Sequence, residues 1–160
     1  MNSKTSASAV RGIAENDRRK IAEALSRGLA DTYTLYLKTQ NFHWNVTGPN
    51  FFALHKAFES QYEELAEAAD LLAERIRAVT YPVTATLAGF QRLTSVKEDS
   101  PADAKEMVKS LIAGHEATIA SLRNANEIAE QAQDAGTQDL LGTRIREHEK
   151  TVWMLRSYLS

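Results

Sequence analysis

Five side chains between positions 43 and 74 have the types and the spacing of a metal site. His55 and Glu59 are four residues apart, as are Asp70 and Glu74, and His43 precedes both pairs. Residues four apart on a helix lie on the same face of adjacent turns, so each pair could hold one ion. Imidazole and carboxylate ligands without thiolate suit Fe(II), Mn(II) or Zn(II). The pattern predicts metal binding, with His43 able to join the first pair across a turn.

The two pairs are too far apart to bind the same ion within one chain. Glu59 and Asp70 are eleven residues apart, which returns them to nearly the same helical face but separates them by about 16 Å along the axis. Two arrangements remain open: two incomplete sites on one chain, or two chains packed antiparallel about a two-fold axis. The second completes two identical sites with one self-complementary contact, and it predicts a homo-oligomer.

A solvated acidic face is the common alternative for helical carboxylates at this spacing. Two observations favour the metal site over it. Tyr62 and Ala66 share the stripe that carries the candidate ligands, and they suit a contact with another surface better than exposure to water. Trp44, a large aromatic residue, directly follows His43 at the same end as His55. We therefore prefer metal binding.

The other two histidines are predicted to be structural rather than iron ligands. His115 and His148 fall on the apolar stripes of their helices, where a histidine is more often a hydrogen-bonded core residue. Di-iron bundles that build their centre inside one subunit use Glu-x-x-His on two helices. No glutamate stands three residues before any of the four histidines, which argues against such a centre.

Four long helices are predicted to position these residues, because apolar residues recur at helical spacing along most of the chain. Val46-Thr47-Gly48-Pro49 supplies a turn, and Pro82 ends the second pattern. The predicted helices cover about 16–44, 50–79, 100–135 (with Ser100 as N-cap) and 137–159, and a short helix over 87–92 lies in the connection 80–100. Two short turns and one long crossover are typical of an all-α, ferritin-like four-helix bundle.

Length and composition narrow the class of protein. The chain has 160 residues and no Cys, which fits one domain and excludes disulfides and thiolate metal sites. Residues 1–15 are predicted to form a tail before a single domain over 16–160. The sequence has no apolar leader or run of membrane-spanning length, so a cytoplasmic protein without a membrane partner is expected. A net charge of −2 gives no global attraction to nucleic acid.

A specific combination of motifs lies in residues 41–79, which read NFHWNVTGPNFFALHKAFESQYEELAEAADLLAERIRAV. It joins His-Trp, a Leu-His whose histidine follows twelve residues later, and D-x-x-A-E-R. This combination resembles the Dps family, the DNA-binding proteins from starved cells or mini-ferritins, and residues 146–159 resemble the family's last helix. The resemblance implies a hollow dodecamer with iron sites at its two-fold interfaces. It also implies oxidation of Fe(II), by hydrogen peroxide in preference to dioxygen, and storage of Fe(III) without an organic cofactor.

Carried over residue by residue, the resemblance implies the ligands His43, His55, Glu59, Asp70 and Glu74. Glu59 is a departure, since the family often has Asp at that spacing, and the longer arm could shift the position or affinity of the metal. The resemblance also places Trp44 beside the site, where it would supply or quench an oxidising equivalent. Acid-lined three-fold pores near the start of the last helix are a family feature, and Asp134 and Asp139 are the candidates here.

A second function, from a different class, is DNA compaction by an architectural protein with vestigial metal chemistry. Some members of the family bind DNA through basic tails. The charged residues of segment 1–20 are Lys4, Arg11, Arg18, Arg19 and Lys20 against Glu15 and Asp17. Because three of these bases are predicted to lie on the first helix, only weak, salt-sensitive DNA binding is expected.

Overall fold

A computed structural model describes residues 10–160 of the chain. Within this range the backbone forms four long α-helices and a short one, with no strand. The helices are α1 (Glu15–Asn45), α2 (Phe51–Ala78), α3 (Leu87–Leu93), α4 (Ala104–Gln131) and α5 (Ala135–Leu159). The predicted all-α class is confirmed, as is the short helix in the long crossover. None of these described helices is long and apolar enough to cross a membrane.

The predicted tail is described only in part. Residues 1–9 lie outside the described range, and Lys4 is among them. Val10 and Ile13, at the end of the predicted tail, are partly buried and pack against the core of the bundle. The helical domain begins at Glu15, close to the predicted boundary, and the division into tail and domain stays a prediction.

α1 and α2 form a helical hairpin because a short turn with a left-handed glycine joins them. At the end of α1, Val46 donates its backbone N–H to the Phe42 carbonyl. Gly48 has a φ of +104°, a conformation that is accessible to glycine at little cost. The Phe51 N–H then bonds the Gly48 carbonyl at 3.0 Å as α2 begins. The turn places the last turn of α1 beside the second turn of α2.

The third long helix begins later than predicted. Ser100 was expected as its N-cap with Pro101 as the first helical residue, but α4 begins at Ala104. Asp103 is the N-cap, because its side chain accepts the otherwise unpaired Glu106 N–H at 2.9 Å. Asp and Ser are comparable N-caps, so the sequence offered two starts and the local hydrogen bond decides between them.

The last helix begins earlier than predicted. A start near Thr137 after a break at Gly136 was expected, but α5 begins at Ala135 and includes the glycine. Asp134 is the N-cap, and its carboxylate accepts the Thr137 N–H at 3.0 Å. The chain turns at Gln133, which has a φ of +55°. The left-handed conformation after the end of α4 is thus adopted by Gln133, whereas the prediction placed the break at Gly136.

Two apolar clusters fill the bundle. One cluster contains residues from the first half of α1 and the second half of α2. The other contains residues from the second half of α1 and the first half of α2. Parts of α4 and α5 contribute to both clusters. The fully buried side chains include Phe42, Phe58, Leu25, Leu35, Leu72, Ile76, Leu111, Leu122 and Leu141. Each such side chain stabilises the fold by about 1.5–3 kcal/mol relative to an exposed one, which makes the hairpin a rigid support for its histidines.

Two buried charged residues of α1 hold the crossover on the bundle. Asp31 is fully buried and accepts hydrogen bonds from the backbone N–H and hydroxyl of Ser95, at 2.6 and 2.8 Å. Lys38 donates to the Lys97 carbonyl at 2.8 Å and pairs with Asp99 at 2.9 Å. These bonds satisfy charged groups that would otherwise be costly to bury, and they fix the path of the chain between α3 and α4.

Candidate metal centre

The two histidines near the α1–α2 turn fix each other through the backbone. Nδ1 of His43 lies 2.8 Å from the carbonyl oxygen of His55, and Nδ1 of His55 lies 2.8 Å from the carbonyl oxygen of His43. A carbonyl oxygen only accepts, so each Nδ1 carries the ring proton and donates it. In the neutral form of each ring Nε2 then carries the lone pair, and an imidazole oriented in this way through Nδ1 is the form that binds a metal ion.

The ends of the two helices explain this arrangement. The last four carbonyls of a helix have no partner within it, and His43 lies in the last turn of α1. The Nδ1–H of His55 satisfies the carbonyl of His43. His43 is 6% exposed and faces the bundle, while His55 is half-buried near the start of α2. The same hydrogen bond therefore satisfies a free carbonyl at the end of α1 and fixes the orientation of the His55 ring.

Aromatic rings enclose the histidine pair. The His43 and His55 rings stack with centroids 3.8 Å apart and an interplanar angle of 19°. Phe51 stacks on His55 at 5.0 Å, and Tyr62 meets His43 edge-on at 5.2 Å. Partial desolvation, followed by the charge of Glu59, raises the pKa of Tyr62, so it remains a phenol at neutral pH. Because the imidazole planes are nearly parallel, the in-plane lone pairs do not converge on one point, and each nitrogen suits its own ion.

Glu59 is ionised and already has a cationic partner. Nζ of Lys56 donates to Oε2 of Glu59. This bond lowers the pKa of Glu59; partial desolvation opposes the shift, and the charge of Lys56 and the neighbouring His43 and His55 reinforce it. The Lys56 side chain is 79% exposed, and exposed ion pairs are weak. The carboxylate is therefore available to a divalent cation that displaces the lysine.

Asp70 and Glu74 lie apart from the histidine pair, nearer the other end of α2. Both are exposed, and neither makes a hydrogen bond or ion pair within residues 10–160. Along the helix axis Asp70 lies about 16 Å from Glu59, and Glu74 lies about 22 Å from it. Across the same residues, no three His, Asp or Glu side chains come together to hold an ion. One chain thus brings His43 and His55 together, with Glu59 one turn along, and leaves the two carboxylates of the second pair free.

Trp44 follows His43 in the chain but its ring points elsewhere. It is 63% exposed and lines a cavity of about 490 Å³ together with Leu37, Asn41 and Asp99. Among the described ring contacts, those of His43 involve His55 and Tyr62 rather than the indole. The redox role implied for Trp44 by the resemblance stays a prediction.

Asp134, one of the two pore candidates, is a buried N-cap residue, and its role in a pore stays a prediction. It is 3% exposed, caps α5, and accepts a hydrogen bond from the Arg75 guanidinium at 2.6 Å. Burial raises the pKa of Asp134, but the hydrogen bonds from Arg75 and Thr137 outweigh it and hold the pKa below its ordinary value. Every carboxylate oxygen is therefore engaged inside the fold. Asp139 is exposed on α5 and remains a candidate.

His115 and His148 are hydrogen-bonded core residues, as predicted. They are 2% and 1% exposed, and their Nδ1 atoms lie 2.8 Å apart. Burial, reinforced by the Arg144 charge, lowers the pKa of His115 to about 3. Burial, reinforced by the neighbouring His115 and the charge of Arg144, holds the pKa of His148 well below its ordinary value. Both rings are neutral, and both Nε2 atoms are buried without a hydrogen-bond partner within the described range. That these residues bind no iron stays a prediction.

Sequence reasoning missed two residues around the site. Phe51 stands four residues before His55, and Lys56 stands three residues before Glu59. Both spacings place side chains in contact on a helix, so the signal was present. Neither residue has the type of a metal ligand, although Phe51 stacks on His55 and Lys56 pairs with Glu59.

Comparison with known proteins identifies the class. A ferritin-like domain matches residues 22–160. A Dps protein of Vibrio cholerae O1, described as a member of a broad superfamily of ferritin-like diiron-carboxylate proteins, is 33% identical. The superposition of the two structures covers 99% of this chain and 100% of the Vibrio cholerae chain, with a TM-score of 0.92. The bundle, the crossover helix and the matched domain together define a ferritin-like protein.

Similarity to individual relatives places the chain within that class. The DNA protection during starvation protein of Brevibacillus brevis is 40% identical over 140 residues, which cover 87% of this chain and 94% of the relative. A Dps crystal structure from Bacillus brevis is 38% identical, with a TM-score of 0.87 over 91% of this chain and 98% of that one. This chain belongs to the Dps family.

Proposed function

We propose that the protein oxidises Fe(II) and stores the resulting Fe(III) inside a hollow dodecamer of identical chains. The observation that carries the proposal is the reciprocal hydrogen bonding that fixes Nδ1 of His43 and of His55 and leaves two Nε2 lone pairs side by side. Neutral imidazole and carboxylate without thiolate suit Fe(II). The description of the Vibrio cholerae relative as a ferritin-like diiron-carboxylate protein supports iron as the metal.

Each site is completed by a second copy of the chain. Asp70 and Glu74 are exposed and unpaired within the described residues, yet about 16 Å of helix separates Asp70 from Glu59, and Glu74 lies one turn further away. An antiparallel contact about a two-fold axis brings the carboxylates of one copy to the histidines of the other, twice over. Leu71 lies between the two carboxylates and is 48% exposed, so the same contact would cover an apolar side chain.

The chemistry assigned to the site is a two-electron oxidation with hydrogen peroxide as the preferred oxidant. Two Fe(II) ions each give one electron, and with two protons one peroxide becomes two waters. His43 and His55 present separate nitrogen lone pairs, which fits two ions held near each other. Five protein ligands for two ions leave open positions where peroxide binds iron directly. Simultaneous delivery of both electrons avoids the release of hydroxyl radical.

Mixing complementary variants tests whether the site is shared. One chain carries His55→Ala/Glu59→Ala and the other carries Asp70→Ala/Glu74→Ala. In a mixed dimer, one of the two sites at the interface regains a complete ligand set, so co-assembled shells should oxidise Fe(II) faster than either variant alone. Stopped-flow absorbance measures the oxidation, and native mass spectrometry of differently tagged chains measures the co-assembly.

A matched control removes two other carboxylates from the same helix. Glu63 and Glu67 are exposed on α2 and lie outside the proposed ligand set, so Glu63→Ala/Glu67→Ala shells should oxidise Fe(II) at the wild-type rate. Proven co-assembly of the complementary variants without any recovery of oxidation would contradict the shared site. Normal oxidation by both variants separately would contradict the ligand assignment itself.

DNA compaction has less support as a function. Within α1, Arg19 pairs with Glu23 at 3.1 Å and Lys20 pairs with Asp17 at 3.6 Å, so two of the bases of the predicted basic segment have acidic partners on the same helix. Phosphate binding depends on unpaired positive charge. A gel shift of duplex DNA at physiological salt should show weak binding, and tight retention would favour the compaction role.

A further inference from the structure

A row of aromatic rings runs from the histidine pair along the face between α1 and α2. The Tyr62 ring meets His43 with centroids 5.2 Å apart. Tyr36 meets Tyr62 at 6.1 Å, and Tyr33 meets Tyr36 at 5.7 Å. The row ends where Tyr33 meets Phe90 of α3 at 5.0 Å. All four spacings lie within the range of aromatic rings in direct contact.

The residue types in this row are more specific than packing requires. Three of its members are tyrosines, and a phenol loses an electron and its proton far more readily than the benzene ring of phenylalanine. Tyr62 and Tyr36 are half-buried, whereas Tyr33 is 40% exposed, so the row leads from the inside of the hairpin to its surface. Gln40 donates to the Tyr36 hydroxyl at 3.3 Å, which orients the middle ring.

We propose that Tyr62, Tyr36 and Tyr33 form a relay that carries a radical away from the iron site along α1. The inference rests on the proposed oxidation of Fe(II) by peroxide at His43 and His55. The relay acts when a site holds one Fe(II) instead of two, since a single ion supplies one of the two electrons that peroxide needs.

The chemistry balances without another co-reactant. One Fe(II) reduces hydrogen peroxide to hydroxide and hydroxyl radical and becomes Fe(III). The hydroxyl radical takes the phenolic hydrogen atom of Tyr62, giving water and a tyrosyl radical. That radical takes the hydrogen atom of Tyr36, which restores the phenol of Tyr62, and the same exchange moves the radical from Tyr36 to Tyr33. Each step breaks one O–H bond and forms another.

The remaining described tyrosines provide controls, because their hydroxyl groups have other surroundings. The Tyr158 hydroxyl accepts from Asn50 at 3.3 Å, and that of Tyr81 lies 3.4 Å from the Glu15 carbonyl. Neither ring is among the described contacts that make up the row. Tyr36→Phe keeps the middle ring and removes its phenolic hydrogen, so it interrupts the relay with little change in packing. Tyr158→Phe makes the same chemical change outside the row.

The test locates radicals on assembled shells. Wild-type, Tyr36→Phe and Tyr158→Phe proteins receive less Fe(II) than their sites can hold, then hydrogen peroxide, with a nitroso spin trap present. Methanol scavenges radicals in the bulk solution. Tandem mass spectrometry then assigns the trap adducts to individual tyrosines, normalised to the iron oxidised in the same sample. Light scattering confirms that all three proteins have the same size.

In wild type and in Tyr158→Phe, adducts are expected on Tyr62, Tyr36 and Tyr33. In Tyr36→Phe, the adduct on Tyr33 should be lost and that on Tyr62 should increase. Normal iron oxidation with an unchanged Tyr33 adduct in Tyr36→Phe would overturn the relay and leave the proposed function intact. Absence of iron oxidation from wild-type shells would overturn the proposed function, and the relay with it.

Discussion

Two pairs of histidines in this chain have hydrogen bonds of the same length and opposite consequences. In the outer pair, His43 and His55 each direct Nδ1 to a backbone carbonyl at 2.8 Å, and the rings stack near the end of the hairpin. In the inner pair, Nδ1 of His115 and Nδ1 of His148 lie 2.8 Å from each other inside the bundle. The outer rings are fixed by the backbone, whereas the inner rings are fixed by each other.

The difference decides which pair is suited to bind metal. In the outer pair each Nδ1–H donates to a backbone carbonyl, which selects the neutral tautomer whose Nε2 keeps its lone pair. In the inner pair only one Nδ1 carries a proton, so the other ring must carry its proton on Nε2 and offers no lone pair there. Arg144 adds a positive charge beside the inner pair, which further disfavours a bound cation. Burial of a histidine therefore does not by itself distinguish a ligand from a core residue.

The largest expected effect separates the two pairs by activity. His43→Ala/His55→Ala shells should lose iron oxidation by more than the 10–100-fold, roughly, that is typical of residues around a metal ligand. His115→Leu/His148→Leu shells should oxidise iron at nearly the wild-type initial rate. Stopped-flow absorbance after addition of Fe(II) and peroxide measures both. A large loss in the inner-pair variant, with unchanged assembly and melting, would reverse the assignment of the two pairs.

The second effect separates the pairs by stability. His115→Leu alone leaves His148 buried with an unpaired Nδ1, which should cost about 1–3 kcal/mol of unfolding free energy. His115→Leu/His148→Leu removes both polar rings, so it should be less destabilising than the sum of the single changes. Denaturant unfolding of wild type, His115→Leu, His148→Leu and the double variant gives the four free energies of this double-mutant cycle. Strict additivity would show that the hydrogen bond between the rings contributes nothing.

The third effect is the pH dependence of that stability. The lowered pKa values mean that the folded inner pair stays neutral while the unfolded histidines bind protons below about pH 6.5. Stability is therefore lost as the pH falls from 6.5 towards 3, by at most about 1.4 kcal/mol per pH unit for each histidine. Unfolding at pH 7 and pH 5 should show this loss in wild type and much less of it in His115→Leu/His148→Leu. Equal losses in the two proteins would show that the inner pair does not cause the pH dependence between pH 7 and pH 5.

The sequence predicted the parts of this fold that depend on periodicity and residue type. The helical stripes placed Leu25, Phe58 and Leu72 in the core, and the Gly-Pro turn placed His43 across from His55. It did not predict the partners of the polar residues, because the donors for Asp31 come from the crossover and from α4, more than sixty positions later. For the same reason the sequence did not predict the partner of Asp134, since Arg75 lies on another helix.

The smallest expected effect concerns the lysine that competes for the outer site. Lys56 holds Glu59 in an exposed ion pair, and a metal ion must displace it. Lys56→Gln should therefore raise the affinity for a divalent ion by about two- to fivefold, a size set by the weakness of exposed ion pairs. Co(II) titration monitored by its visible absorption measures the affinity under anaerobic conditions, where no oxidation interferes.

Lys109→Gln is the matched control for this prediction. Lys109 forms an exposed ion pair on α4 with Glu106, three residues before it, at 2.6 Å. Removing either lysine lowers the net charge of the chain equally, so a general electrostatic gain would appear in both variants. A local gain would appear only in Lys56→Gln, and raised salt should diminish the difference between the two, since exposed charges are screened. Equal affinities in all three proteins would contradict the prediction, because they would mean that the Lys56–Glu59 pair does not lower the affinity for the metal ion. Any difference between Glu59 and an aspartate at the same position would then come from the longer side chain of Glu59 and not from its lysine partner.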